Sequence, residues 1–165
     1  AAASRVRSVP TVLLGTFRWT GAVSTFEIRE ALESLEKGEL GAGAMERMIK
    51  EGQAFDMLRL FQERGTVAPA FVELLNHPLL PLRLGAMAVM ETLAERAPEL
   101  ARGVLPSLWE GFGAAENVVK GDILYVIGEV GDGRWEPVLA AVADAAPDPE
   151  VRAAAVEALE KVRGR

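Results

Sequence analysis

Apolar and polar positions recur with two different periods along this chain. The change falls near residues 36 to 44 (EKGELGAGA), which places a boundary between two parts at about Leu40. In the first part, Thr11-Val12-Leu13-Leu14 is a short, partly β-branched apolar run, the pattern of a buried strand. Gly15 and Thr16 supply a turn, and Phe17-Arg18-Trp19-Thr20 alternates aromatic with polar, as a half-buried strand does, before Gly21 stops it. Ser24 and Glu27 stand at the spacing of a capping box, in which the Ser hydroxyl accepts from an orphan helix N–H while the Glu carboxylate reaches back. Ile28, Ala31, Leu32 and Leu35 then make one apolar helix face, with Gly38 placed to end it. A hairpin and helix of about 40 residues cannot cover both faces of its own sheet, so something else must cover the second.

The second part repeats itself. Pro69 is followed 14 positions later by Arg83, Pro106 by Lys120 at the same distance, and Pro137 by Arg152 at 15. Four and seven positions after each basic residue stand Met87 and Met90, Leu124 and Ile127, Val156 and Leu159. Each unit therefore predicts a first helix beginning near a proline, a turn, and a second helix with a basic residue in its opening turn. The turns are Asn76-His77-Pro78, Gly113 to Asn117, and Ala146-Pro147-Asp148-Pro149. Two helices per period, at 37 and 31 residues from proline to proline, are the mark of an α-solenoid. Ahead of these units, Met45, Met48 and Ile49 suggest one short helix, and Phe55, Leu58 and Phe61 a second; this pair reads as a degenerate cap over 43–65.

Residues 148–159 (DPEVRAAAVEAL), 81–93 (PLRLGAMAVMETL) and 118–128 (VVKGDILYVIG) resemble HEAT repeats, which gives units at about 67–97, 99–131 and 134–163. The expected fold class is mainly α: a short HEAT-like solenoid preceded by a β-hairpin and helix. That leading segment, 1–40, resembles the C-terminal half of a thioredoxin-like domain, through Val9-Pro10-Thr11, an apolar strand, a turn, a second strand, Gly21 and a helix. The resemblance implies a cis Val9-Pro10 bond, with Val9, Pro10 and Thr11 forming a substrate-facing loop. It also implies a Cys-x-x-Cys several tens of residues upstream, and the first nine residues carry no Cys. The absent Met and the Ala-Ala-Ala start suggest that the parent protein begins further upstream.

Composition narrows the chemistry. With no Cys and one His in 165 residues, these residues themselves supply no disulfide framework, thiolate nucleophile, dithiol or multi-histidine metal site, and no cofactor motif is evident. The net charge of −6 and pI near 5.0 argue against nucleic acid as the main partner. No apolar run reaches the ~20 residues of a membrane span. With no signal or targeting stretch in view, cytoplasmic is the default location.

Single residues then divide between two readings. His77 lacks partners for catalysis or ligation and reads as a surface turn residue. Arg83, Lys120 and Arg152 read first as recurrent structural cations near turns, and second as a basic ladder for an acidic peptide. Glu91 and Glu95, or Glu129 and Asp132, read as solvated carboxylates rather than a general-acid pair. Met45, Met48, Met87 and Met90 read as core before they read as a soft groove. Trp109 and Trp135 either pack between repeats or stand as surface anchors. Gly111, Gly113, Gly121, Gly128, Gly131 and Gly133 fit no phosphate-cradling pattern and serve close packing and turns.

The function expected from this is a protein–protein interaction module. Second helices line the concave face by resemblance, so Arg83, Lys120, Asp122 and Arg152 form the candidate partner-binding surface. The alternative is a thiol–disulfide oxidoreductase whose dithiol lies upstream and whose repeats select protein substrates. A third reading has the hairpin join two copies as a homodimer by strand addition.

Overall fold

The computed structural model describes residues 11–14, 17–25, 27–29 and 40–164. The chain is mainly α-helical. Two short strands open it: β1 (Thr11–Leu14) and β2 (Phe17–Thr20) pair antiparallel, with Val12 opposite Trp19 and Leu14 opposite Phe17. Gly21 follows with φ of 104°, a conformation that L side chains resist and that turns the chain out of the strand. A helix, α1, begins at Thr25, and its described residues are 25 and 27–29. Its start is the capping box read from the sequence: Glu27 N–H donates to Ser24 Oγ (3.2 Å), and Ser24 N–H donates to Glu27 Oε2 (2.7 Å). The two backbone and side-chain bonds to Ser24 hold the Glu27 carboxyl below its ordinary pKa.

Eight further helices run in sequence: α2 (Ala42–Lys50), α3 (Ala54–Arg64), α4 (Phe71–Leu75), α5 (Leu80–Arg96), α6 (Pro98–Glu110), α7 (Asn117–Val130), α8 (Glu136–Ala145) and α9 (Pro149–Arg163). Their ends follow local chemistry. Gly65 closes α3 in the left-handed conformation, and Asp148 caps α9 by accepting from Glu150 N–H and Val151 N–H at 2.9 and 3.1 Å. Pro98, Pro137 and Pro149 occupy first turns, where a missing N–H costs nothing.

Packing joins these helices as neighbours. α5 contacts α3, α4, α6 and α7; α9 contacts α7 and α8. Phe61 and Phe71 meet edge to face at 5.2 Å between α3 and α4. The four methionines at helical spacing, Met45, Met48, Met87 and Met90, are all buried, so they serve as core. Trp19 of β2 is buried in the same hydrophobic cluster as Leu40, Ala44 and Met45, and the Arg47 guanidinium lies 5.5 Å from its ring centre. This contact ties the leading strands to α2.

One expectation is corrected. Pro106 does not open a helix but sits inside α6, which starts at Pro98. It is tolerated because it lies on the exposed side beside Gly103 and Ser107, where water can satisfy the carbonyl that lacks its N–H. The helix expected from Phe55, Leu58 and Phe61 is α3; Leu58 and Phe61 are buried in it, while Phe55 is 70% exposed, with Arg96 5.9 Å from its ring centre. α9 also differs from α7. Where Leu124 and Ile127 are buried, Val156 is 45% exposed and Leu159 half-buried, and α9 buries the stripe Val151, Ala155, Ala158 and Val162 instead.

Candidate functional site

Val9 and Pro10 lie outside the described residues, so the expected cis bond does too; Thr11 pairs with Thr20 in the hairpin. Of the other four residues singled out from the sequence, Arg83 is corrected. It is not an exposed contact residue but 3% exposed. Its Nε donates to Asp122 Oδ2 at 2.7 Å, and one terminal nitrogen donates to the carbonyls of His77 (2.7 Å) and Pro78 (3.0 Å). Arg83 thus fastens the turn before its own helix and reaches into α7. Asp122, partly exposed, is the acceptor of that buried ion pair. A buried guanidinium needs partners of this kind, because an uncompensated charge in the interior is costly.

Arg152 repeats half of this arrangement. Its terminal nitrogen donates to the carbonyls of Ala146 (2.6 Å) and Pro147 (3.1 Å), at the same offsets of six and five residues. Lys120, the third member of the series, does otherwise. One ammonium cannot fork as a guanidinium does, and its Nζ lies 5.8 Å from the Phe112 ring centre instead.

Lys120 borders a largely apolar groove of about 610 Å³. Trp109 and Phe112 form one wall, stacked at 4.3 Å and 18° between planes. Trp135 holds Trp109 from behind, edge to face at 5.9 Å. The opposite wall is α8, through Val138, Ala141 and Val142. α8 is apolar on nearly every side yet fully buries only Leu139, which leaves apolar surface facing the groove. Asn117 and Asp148 close one end, Asn117 Nδ2 donating to Asp148 Oδ2 at 2.8 Å.

A second feature crosses α5, α7 and α9. Tyr125 O–H donates to Glu91 Oε1 at 2.7 Å, Lys161 Nζ lies 4.8 Å from the Tyr125 ring centre, and Lys161 also pairs with Glu129. The hydrogen bond to Glu91, then burial, then the nearby carboxylates push the Tyr125 phenol up to about 12. Tyr125 is the single tyrosine of the chain, so its ultraviolet titration reads this bond directly. The midpoint is expected near 12, and Glu91→Gln is expected to move it back toward the ordinary value near 10. A raised folded pKa means that this contribution to stability is complete below pH ~10 and is lost as pH rises through the folded value. A wild-type midpoint at the ordinary value would show that the bond does not persist in solution.

The carboxylates at the other end of α7 have local partners. Asp132 accepts from Arg134 Nε and Nη2 (2.9 and 2.8 Å) as well as from its backbone N–H, and these bonds hold its carboxyl down at about 2. His77 is a turn residue, as expected, though its side chain is 20% rather than fully exposed. Its Nδ1 accepts from Leu79 N–H at 3.0 Å and its Nε2 lies 3.6 Å from Glu46. Among the described residues, no group of three or more acidic or histidine side chains could hold a metal ion, and no helix is long and apolar enough to cross a membrane.

The sequence therefore pointed to one residue of the groove, Lys120, and left Trp109 and Trp135 between two roles. It missed Phe112 and the α8 wall. The available signal was the run Pro137-Val138-Leu139-Ala140-Ala141-Val142, too apolar for an ordinary surface helix. No family model matches the chain, and neither a curated protein nor a solved structure matches it.

Proposed function

We propose that this chain is a protein–protein interaction module, a short HEAT-like solenoid that holds peptide segments of a partner in the groove between Trp109, Phe112 and α8. The observation that carries this reading is an open apolar groove with a stacked aromatic wall. The solenoid is supported by the succession α4/α5, α6/α7, α8/α9, in which α5 contacts α7 and α7 contacts α9. It is supported further by Arg83 and Arg152, which bind turn carbonyls at identical offsets. Such modules offer a shaped surface rather than a reactive group.

The test is selection of phage-displayed random peptides on the full chain. Enriched peptides are expected to lose binding to Ala141→Arg, which fills the groove from an exposed helical position, and to keep it with Glu157→Arg on the exposed side of α9. No enrichment, or binding indifferent to Ala141→Arg, would sink the reading.

The leading segment supports the alternative of an appended thioredoxin-like unit. Antiparallel β1 and β2, Gly21 and a capped helix follow in the order of that family's C-terminal half. A Cys-x-x-Cys encoded upstream of Pro10, with insulin reduction by that longer protein, would make the chain part of an oxidoreductase. A longer protein with no dithiol would exclude it.

A further inference from the structure

We infer that the groove selects an apolar peptide segment carrying one carboxylate, with Lys120 receiving that carboxylate. This rests on the reading of the groove as a peptide site and adds to it the chemistry of the peptide. Charge complementarity is the argument. Of the polar side chains on the groove, Asn117 and Asp148 are already engaged. Asp148 accepts from two backbone N–H groups of α9 through Oδ1 and from Asn117 of α7 through Oδ2, so both of its oxygens already have donors within the chain. Lys120 is different. Among the described residues its ammonium forms no ion pair or hydrogen bond; it has the Phe112 face and otherwise water.

The other units show what is missing. Arg83 finds Asp122, two positions after the basic residue of the next unit, but the corresponding position in α9, two after Arg152, is Ala154, which has no carboxylate to offer. Lys120 is therefore a cation at an apolar wall without an internal anion, and a ligand carboxylate arriving with apolar neighbours would supply one. A basic peptide would meet Lys120 unfavourably. The site is an open groove rather than an enclosed cavity, which suits a chain passing through it more than an alkyl tail that needs covering on all sides.

The experiment uses the full chain and two fluorescein-labelled peptides. One is a selected apolar sequence with its Asp or Glu, and the other is its Asn or Gln counterpart. Anisotropy titrations are expected to show about tenfold weaker binding when the peptide carboxylate is removed. A similar loss is expected for the acidic peptide with Lys120→Met, which keeps the apolar stem. The two changes together should cost little more than either alone, because they remove one interaction. Unchanged melting of Lys120→Met by circular dichroism establishes that the fold is intact. Equal affinity for both peptides, or full affinity of the acidic peptide for Lys120→Met, would overturn the inference while leaving the groove as a peptide site. Loss of all binding specificity for Ala141 would instead overturn the reading beneath it. Displacement of the peptide by laurate, at affinity above that of any selected peptide, would assign the carboxylate site to a lipid and overturn the peptide assignment.

Discussion

Arg83→Met is expected to lower unfolding stability by about 3 kcal/mol, toward the lower end of what breaking a buried ion pair costs. The substitution preserves much of the apolar stem but strands three acceptors, the Asp122 carboxylate and the carbonyls of His77 and Pro78. Asp122 keeps some contact with water, which is why the lower end applies. For a chain of this size a loss of about 3 kcal/mol corresponds to a fall in Tm of about 6 to 12 °C. Asp122→Asn should be harmful as well, since it leaves a buried guanidinium facing a neutral amide, and a double-mutant cycle should show strong coupling between the two. Arg152→Met is the internal comparison. That guanidinium is half-buried and meets carbonyls but no carboxylate, so a loss of about 1 kcal/mol is expected. Urea and thermal unfolding followed by circular dichroism measure all three. Arg83→Met melting with the wild type would mean that the buried pair contributes nothing net.

The second large effect is one of opposite signs at two glycines of one helix. Both lie within α7, where exchanging Gly for Ala gains about 1 kcal/mol of helix propensity. At Gly121 a methyl group would meet nothing within 4 Å, so Gly121→Ala is expected to stabilise by up to that amount. At Gly128 the same methyl would lie 2.9 Å from Ala158 Cα and 3.2 Å from its Cβ. The obstacle is the backbone of α9, which cannot swing aside as a long side chain does. The crossing of α7 and α9 must open, at a cost of about 1–3 kcal/mol that outweighs the propensity gain, and more for Gly128→Val. Equilibrium denaturation of the two Ala variants should therefore move the midpoint in opposite directions. A Gly128→Ala variant as stable as Gly121→Ala would show that the two helices pack less closely than described.

What could be read from the sequence was what short-range chemistry dictates. Ser24 with Glu27, Asp148 before Pro149, and the turn at Asn76-His77-Pro78 all mark helix ends through groups within four residues of one another, and the structure has them there. The methionines were legible because helical spacing decides which side of a helix is covered. Pro106 misled because its distance to Lys120 copies that of the other prolines to their basic residues, and a proline on the outer side of a helix leaves no mark that separates it from a helix start. Arg83 reads first as a structural cation near a turn, and its bonds to the His77 and Pro78 carbonyls agree; what the sequence did not show was its burial. An arginine is buried only when acceptors converge on it from elsewhere in the chain, and Asp122 lies 39 positions away. The groove was the least legible feature. The apolar residues of α8 and the ring of Trp109 resemble core in the sequence, and only their placement shows which of their faces is left uncovered.

The most direct test of the groove as the binding surface is the ¹H–¹⁵N spectrum of the full chain during titration with a selected acidic peptide. The three tryptophans give three indole signals, from Trp19, Trp109 and Trp135. The account predicts that the Trp109 indole moves, together with the amides of Val138, Val142 and Val151, while Trp19 stays in place. Movement confined to Tyr125, Glu91 and their neighbours across α5 and α7, with Trp109 unmoved, would contradict it.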